Sequence, residues 1–333
     1  MKVLLTGANG FLGRYVLRLL QQSGTAVVAL GRTRPPDCGA SAFIAADLLA
    51  GNDFAALARQ AGASHLLHLA WVTEHGQYWT SPLNFRWVDA TTRLVQAFCE
   101  TGGKHVVVAG SCAEYDWGSG LCNEDTTPLS PATVYGVAKD ATRRLVEVLC
   151  VQHGVRCAWG RVFFPFGAGE GPARLVPQLV DALQGRLAGF GVNAPALRDF
   201  LHAQDVARAL LALLRCPATG SYNVSSGRPV QIGELVRTLA QLTGRDPLCI
   251  LGQPSERAFE RPQPWLCQAP RGGTRKLGSG PAFSCEPAAL VGDNLKLQAL
   301  GWRQELTLGQ GLQRMLHDLS VAGSGQEAVP HGA

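Results

Sequence analysis

The chain has 333 residues, 46% hydrophobic and 17% charged, with a formal net charge of +5. That balance supports a sizeable core in one large or two interlocked domains and excludes a disordered chain. Lys and Arg are scattered rather than gathered into a stripe, which excludes a nucleic-acid face; the densest basic spot, Arg271 to Lys276, lies among glycines and reads as a solvated loop.

The N-terminus enters an apolar strand at once, "KVLLT" at 2–6, with no charged leader and no cleavage pattern. From Phe11, apolar residues at 11, 12, 15, 16, 19 and 20 mark one face of a helix that stops at Ser23-Gly24. "TAVVAL" (25–30), "AFIAA" (42–46) and "HLLHLA" (65–70) follow as strands. A helix is predicted over 82–101, a fifth strand at "KHVVVAG" (104–110), a helix over 134–153 and a sixth strand at "RCAWGRVF" (156–163). Strands alternating with helices at this spacing predict βαβ units in a parallel, doubly wound sheet, an α/β fold. Further helices are expected near 174–186, 203–215, 232–243, 293–300 and 308–319. The Pro-, Gly- and Ser-rich stretch 252–287 reads as a long surface excursion, and 320–333 as a frayed, disordered tail.

No apolar run approaches the ~20 residues that span a bilayer. The ten cysteines form no C-x-x-C pair, and no His stands at ligand spacing from two of them. A soluble, cytoplasmic protein with reduced thiols and no metal site is therefore expected, with neither membrane nor nucleic acid as partner.

Chemistry enters with "TGANGFLG", which sets Gly7, Gly10 and Gly13 between the first strand and first helix. A tight turn, a close backbone approach to a pyrophosphate and close helix–strand packing each need a glycine, and the helix N-terminus then offers free N–H groups to phosphate. A dinucleotide is the expected ligand. A site for NAD usually ends the second strand on an acid; here "LGRTR" puts Arg32 and Arg34 there, and a guanidinium suits a 2′-phosphate. NADP(H) is the expected cofactor, with NAD as the alternative. Asp47, after the third strand, could reach the adenine edge or simply cap a loop.

"VYGVAK" places Tyr135 and Lys139 four residues apart, on one helix face. A nearby ammonium and an oxidised nicotinamide ring favour the phenolate and would lower the tyrosine from its usual ~10. Upstream, the strand end "GSCAEYDW" carries Ser111, Cys112, Glu114 and Tyr115.

With these in hand, the chain resembles the extended short-chain dehydrogenase/reductase superfamily, its nucleotide-sugar epimerase, dehydratase and ketoreductase branch. The resemblance runs over about 1–312 and rests on "TGANGFLG", "HLAW", "GSCAEYDW", "YGVAK", "RVFFPFG", "RDFLHAQDVARA", "YNVSSG" and "LGW". It implies a Rossmann-type cofactor domain over 1–165, completed by 198–225, a smaller substrate-binding lobe mainly within 166–319, and a Ser/Thr–Tyr–Lys catalytic set. Tyr135 would be the acid/base, with Lys139 as its tuner and ribose ligand. Asn9, Phe11 and Leu12 in the glycine loop, Leu48 beside Asp47, and Leu69 and Ala70 at the fourth strand's end would complete the cofactor contacts. Arg198 in "RDF" would meet the substrate's diphosphate or pair with Asp199 or Asp205, and Glu114 would face the substrate. His68 reads as a packed strand residue.

The sequence departs from the family at several points. Alignment on Glu114 puts Cys112 at the catalytic hydroxyl, but a thiol is a weak donor, so Ser111 is preferred and Cys112 kept as the alternative. Tyr115 is assigned to packing or substrate contact and Trp117 to a lid or core aromatic. Phe164 and Trp87 replace family asparagines. A sugar dehydratase would need an acid beside the catalytic hydroxyl, and Ala113 stands there. The expected activity is therefore NADPH-dependent reduction of a nucleotide-linked 4-keto-6-deoxy sugar. The alternatives are an epimerase that retains NAD(P) and, against the intact Tyr135/Lys139 pair, a cofactor-binding sensor or scaffold. A homodimer through the helices at 82–101 and 134–153 is expected.

Overall fold

A computed structural model describes residues 1–36, 38, 42–254 and 287–324. Seven strands form a parallel sheet in the order β11-β7-β5-β4-β1-β2-β3. These are β1 (Lys2–Thr6), β2 (Ala26–Gly31), β3 (Ala42–Ala45), β4 (His65–His68), β5 (His105–Ser111), β7 (Arg156–Val162) and β11 (Gly220–Val224). Between β5 and β7 a short strand, β6 (Leu121–Cys122), leaves the sheet.

The sheet is buried on both faces, as its continuous apolar strands require. Val3 and Leu5 point to one side, against α1 (Phe11–Gln22) and α6 (Ala203–Arg215). Leu4 points to the other, where α2 (Phe54–Ala61), α3 (Leu83–Glu100) and α4 (Val134–Gln152) supply Phe54, Leu94, Val95, Phe98 and Val146. The sequence pattern does not predict helix α2. Its run "FAALARQA" lacks a long apolar stripe, and it starts on an Asp53 cap that accepts from the Ala56 amide and ends at Gly62 in the left-handed region.

A second core gathers Phe166, Val176, Leu179, Phe200, Leu235, Val236, Ile250, Leu312 and Met315. They come mainly from β8 (Phe164–Phe166), α5 (Leu175–Leu183), β10 (Phe200–His202), α7 (Ile232–Thr243), α8 (Leu248–Leu251) and α10 (Leu308–Ser324). β8 pairs with β10. A small sheet, β12-β9-β13-β6, is completed by β9 (Leu197–Arg198), β12 (Val230–Gln231) and β13 (Ala289–Gly292); α9 spans Leu295–Ala299.

Two expectations need correction or fall outside this description. Helix α10 continues to Ser324, so the chain is still helical beyond 320, where a tail was expected. The expected excursion at 252–287 lies mostly outside the described residues. No described helix is long and apolar enough to cross a membrane.

Candidate active site

The strand order reverses between β1 and β4, and ligands of such sheets bind at the carboxyl ends of the strands flanking that point. Gly7 lies there at φ +73°, and a Cβ on it would come within 2.8 Å of the Leu69 carbonyl carbon and the Ala70 nitrogen. A Cβ on Gly13 would stand 2.0 Å from the Gly7 oxygen, so helix and loop touch backbone to backbone. The Gly10 amide donates to the Gly7 carbonyl at 2.9 Å. Helix α1 starts at this glycine with no side-chain cap and no acid in its first turn, so its leading N–H groups suit a phosphate.

Asn9 ties the loop to the end of β2, its Nδ2 donating to the Thr33 carbonyl at 2.7 Å and to Thr33 Oγ1 at 3.0 Å. The flanking Arg32 and Arg34 are exposed beside it. Phe11 and Leu12 are half-buried in the first helical turn. The Leu69 and Ala70 amides donate to Thr6 Oγ1 at 3.2 and 3.3 Å. Asp47 is exposed and accepts from the Leu49 amide at 3.0 Å, a local turn bond. The Leu48 side chain is buried with Val28 and Leu30 in the core, which leaves its backbone as the part that could meet a cofactor. His68 is buried between Thr6 and Thr91 at 2.8 and 3.0 Å, as a packed strand residue.

At the other end, α4 brings up the tyrosine and the lysine. Thr133 caps the helix by accepting from the Gly136 amide at 3.0 Å. Gly136 lets the helix seat against the 3₁₀ turn Cys112–Glu114, where a Cβ would be 2.2 Å from the Ala113 carbonyl. Tyr135 is hydrogen-bonded to the Ser111 side chain. Ser111 is the residue that meets the phenol. Cys112 turns instead into an apolar cluster with Tyr115, Cys122, Phe163 and Leu290, and burial pushes its thiol up.

The electrostatics differ from expectation. Tyr135 is raised, not lowered, because burial and the neighbouring Tyr78 outweigh the Ser111 hydrogen bond. Lys139 does not offset this. Its Nζ donates to the Ala109 carbonyl at 2.9 Å and lies 3.9 Å from the centre of the Trp71 ring. Burial lowers it to about 7.

Aromatic side chains surround the pair. Tyr78 and Trp79 stand edge-on to Tyr135 at 4.9 and 5.8 Å, and Trp117 edge-on to Trp79 at 5.9 Å. Trp71 stacks on Trp87 at 6.0 Å and donates to Asn84. Trp71, Tyr78 and Trp79 were not singled out from sequence; the cluster of rings in "WVTEHGQYW", an otherwise polar connection, was the available signal.

Glu114 is also corrected. It is fully buried, paired with Arg161 Nε at 2.8 Å, and accepts from Trp159 Nε1 at 2.9 Å and from the Ser111 amide at 2.8 Å. It cannot reach a substrate. Tyr115 is likewise internal, donating to Asn223 and accepting from Arg161. Arg198 is 5% exposed, donates to the carbonyls of Leu197 and Pro287, and lies near enough to Cys112 to favour its thiolate. Asp199 binds the Ser226, Gly227 and Gly292 amides, and Asp205 those of Glu305 and Leu306. Among the described residues, no group of three or more His, Cys, Asp or Glu could hold a metal ion.

A sequence model of the NAD dependent epimerase/dehydratase family matches residues 3–225. The chain belongs to that family. The epimerase/dehydratase relatives include a dTDP-6-deoxy-L-talose 4-dehydrogenase (NAD(+)) of Aggregatibacter actinomycetemcomitans, 25% identical over 69% of this chain and 86% of its own. A UDP-glucose 4-epimerase of Streptomyces lividans is 27% identical over 73% and 81%. MoeE5, solved with UDP-glucuronic acid and NAD, superimposes with a TM-score of 0.78 at 28% identity, covering 97% of this chain and 100% of that one. Like these epimerase/dehydratase enzymes, the chain is an NAD(P)-binding oxidoreductase or isomerase of the short-chain dehydrogenase type, on a Rossmann-type fold. The glycine cradle and uncapped α1 fit that cofactor.

Removing one member of a buried ion pair strands the other. Arg161→Met is expected to destabilise the protein by about 3–5 kcal/mol, read from urea unfolding. An unchanged midpoint would mean that Glu114 is not anchored through Arg161.

Proposed function

We propose that the protein reduces a nucleotide-linked 4-keto-6-deoxy sugar with NADPH. The observation that carries the choice of cofactor is the pair of exposed guanidinium groups, Arg32 and Arg34, joined to the glycine loop through Thr33 and Asn9. A positive pair with no acid beside it favours a 2′-phosphate. Net reductases draw on the NADPH pool, whereas epimerases recycle a retained cofactor. The cofactor, when bound, supplies the hydride.

The chain's own residues do the rest. Tyr135 gives its phenolic proton to the sugar oxygen as that oxygen gains charge, and Ser111 holds the same oxygen. Lys139, 5.9 Å from the Tyr135 ring, holds the cofactor ribose and, when charged, favours the phenolate that the proton transfer leaves. Arg198 serves the substrate diphosphate. A dehydratase is less well supported, because Ala113 replaces the acid and the buried pairing keeps Glu114 from serving as the C5 base. The dehydrogenase relative acts, by its name, on a 6-deoxy sugar at C4, though with NAD(+). The UDP-glucose 4-epimerase relatives favour the second reading, inversion at C4 with retained NAD(P).

A panel of dTDP-, CDP- and GDP-4-keto-6-deoxy sugars should consume NADPH stoichiometrically and faster than NADH. Inversion of a nucleotide sugar without net NADPH use would establish the epimerase instead, and a preference for NADH would remove the role of Arg32.

Tyr135→Phe should lower turnover about 10²–10⁴-fold with NADPH binding nearly unchanged, whereas Lys139→Met should harm both. Full activity in the phenylalanine variant would overturn this proton path.

We further propose a homodimer through α3 and α4. Leu94 and Val95 are spent on the subunit's own core, but Phe85, Val137, Leu145 and Val148 are exposed at 62, 40, 47 and 57%. Light scattering at micromolar concentration should give twice the mass of one chain; the mass of a single chain would exclude the pairing.

A further inference from the structure

The connection between β4 and α3 carries rings that surround Tyr135, yet it is neither helix nor strand, and Thr73, Glu74, Gly76 and Gln77 on it are exposed. It also meets the helix of Tyr135 directly. The Tyr135 backbone N–H, one of the leading donors of α4, finds its acceptor in the Trp79 carbonyl at 3.1 Å. Tyr78 is buried and stands edge-on to the Tyr135 ring at 4.9 Å. Between 74 and 85 the connection's own backbone hydrogen bonds close only short turns. Besides ring packing, side chains from elsewhere must therefore hold it on Tyr135.

Two side chains do so. From α3, Asn84 donates to the carbonyls of Tyr78 and Ser81 at 2.7 and 3.0 Å and accepts from Trp71, which ties the near end. From α5, in the second core, Arg174 takes the far end. Its Nη1 donates to the Tyr78 hydroxyl at 3.3 Å and its Nη2 to the Thr73 carbonyl at 3.1 Å, with the guanidinium carbon 4.8 Å from the centre of the Tyr78 ring. A planar fork meets two acceptors and a ring at once, which the point charge of a lysine does not.

For its own helix Arg174 is a poor choice. It is the N-cap of α5 and makes no side-chain cap bond there. Ser, Thr, Asp or Asn would supply that bond, and a cation stands at the wrong end of the helix dipole. The Glu170 carboxyl, on the turn before, attracts the same guanidinium. A residue that breaks the local rule in this way points to a role outside its own helix.

We infer that Arg174 is a positioning residue for Tyr135: by pinning Thr73 and Tyr78 it keeps the β4–α3 connection seated on the first turn of α4, and so keeps the phenol aimed at Ser111. The aim of the tyrosine thus depends on how the second core sits against the sheet. The effect on turnover rests on the proposed role of Tyr135 as proton donor; the seating itself does not.

The chain has five tyrosines, so biosynthetic 3-fluorotyrosine gives a fluorine NMR spectrum in which Tyr135 is assigned by its phenylalanine variant. In Arg174→Met, with no substrate present, the Tyr78 and Tyr135 resonances should move. Those of Tyr115, in the Glu114–Arg161 network, and of Tyr222, on β11, should stay. Arg174→Lys keeps the charge without the fork, and it should move Tyr135 in the same sense by a smaller amount; this milder variant decides alone if the methionine variant does not fold. A stationary Tyr135, a movement shared equally by Tyr115 and Tyr222, or full restoration by lysine, which would make charge rather than the fork responsible, overturns the proposal. On a sugar that the panel turns over, Arg174→Met should lower kcat about 10–100-fold at nearly unchanged KM. A raised KM with kcat intact would assign Arg174 to the substrate and overturn the positioning role. The spectra need no substrate, so they decide the seating even where the sugar panel fails, and a stationary Tyr135 would leave the proposed reduction untouched.

Discussion

The buried pair of Glu114 and Arg161 holds the catalytic end of the molecule together. Two charges out of water are costly unless every remaining lone pair and N–H is met. Here Trp159 and the Ser111 amide donate to the carboxylate, and the Tyr115 hydroxyl accepts from Nη1 of the guanidinium. Tyr115 passes the network to Asn223, whose side-chain amide donates to the carbonyls of Cys122 and Asp293. One carboxylate thus links β5, β7 and β11 to the small sheet. Its bond to the Ser111 amide fixes the residue whose hydroxyl meets Tyr135. The position of that hydroxyl is a consequence of the core, not of a surface loop.

The same dryness governs the charges above it. Tyr135 is driven towards the phenol and Lys139 towards the free amine, because burial penalises both charged forms. The Trp71 face and the Ala109 carbonyl support the Lys139 ammonium at close range, with the Tyr135 ring at 5.9 Å and the attraction of Glu114 beyond them. A tyrosine held as the phenol suits the role of acid, the direction that a reduction requires. It suits proton abstraction less well, since an alcohol oxidation must begin from the phenolate.

What the sequence made legible was whatever repeats or is local. Strand and helix periods located β1, α1, β4, β5, α4 and β7 to within a few residues, because each must bury an apolar face. Gly7, Gly10 and Gly13 were legible because close backbone approach leaves no substitute, and Tyr135 and Lys139 because a four-residue spacing needs only one helix. The fate of Glu114 was not. As a residue type it reads as a base, and what makes it an anchor is a partner 47 positions away on β7. The direction of the Tyr135 shift was missed for a similar reason, since it depends on rings brought in by the connection after β4. Cys112 and Ser111 could not be ordered by alignment, because a one-residue step in a 3₁₀ turn decides which side chain faces α4 and which the cluster around Phe163.

The aromatic wall gives the arrangement its chemical sense. Trp71, Tyr78, Trp79 and Trp117 wall Tyr135 with rings, and in the proposed reduction they would keep water from its proton. In a dry site each remaining dipole acts at greater strength. A hydroxyl at 111 is then worth more than it would be in water, and a thiol there would be a poorer orienting donor. The wall and the choice of Ser111 over Cys112 are therefore parts of one solution: where water is absent, the single group that orients the reacting oxygen has to be a good donor, and the core network has to hold it still.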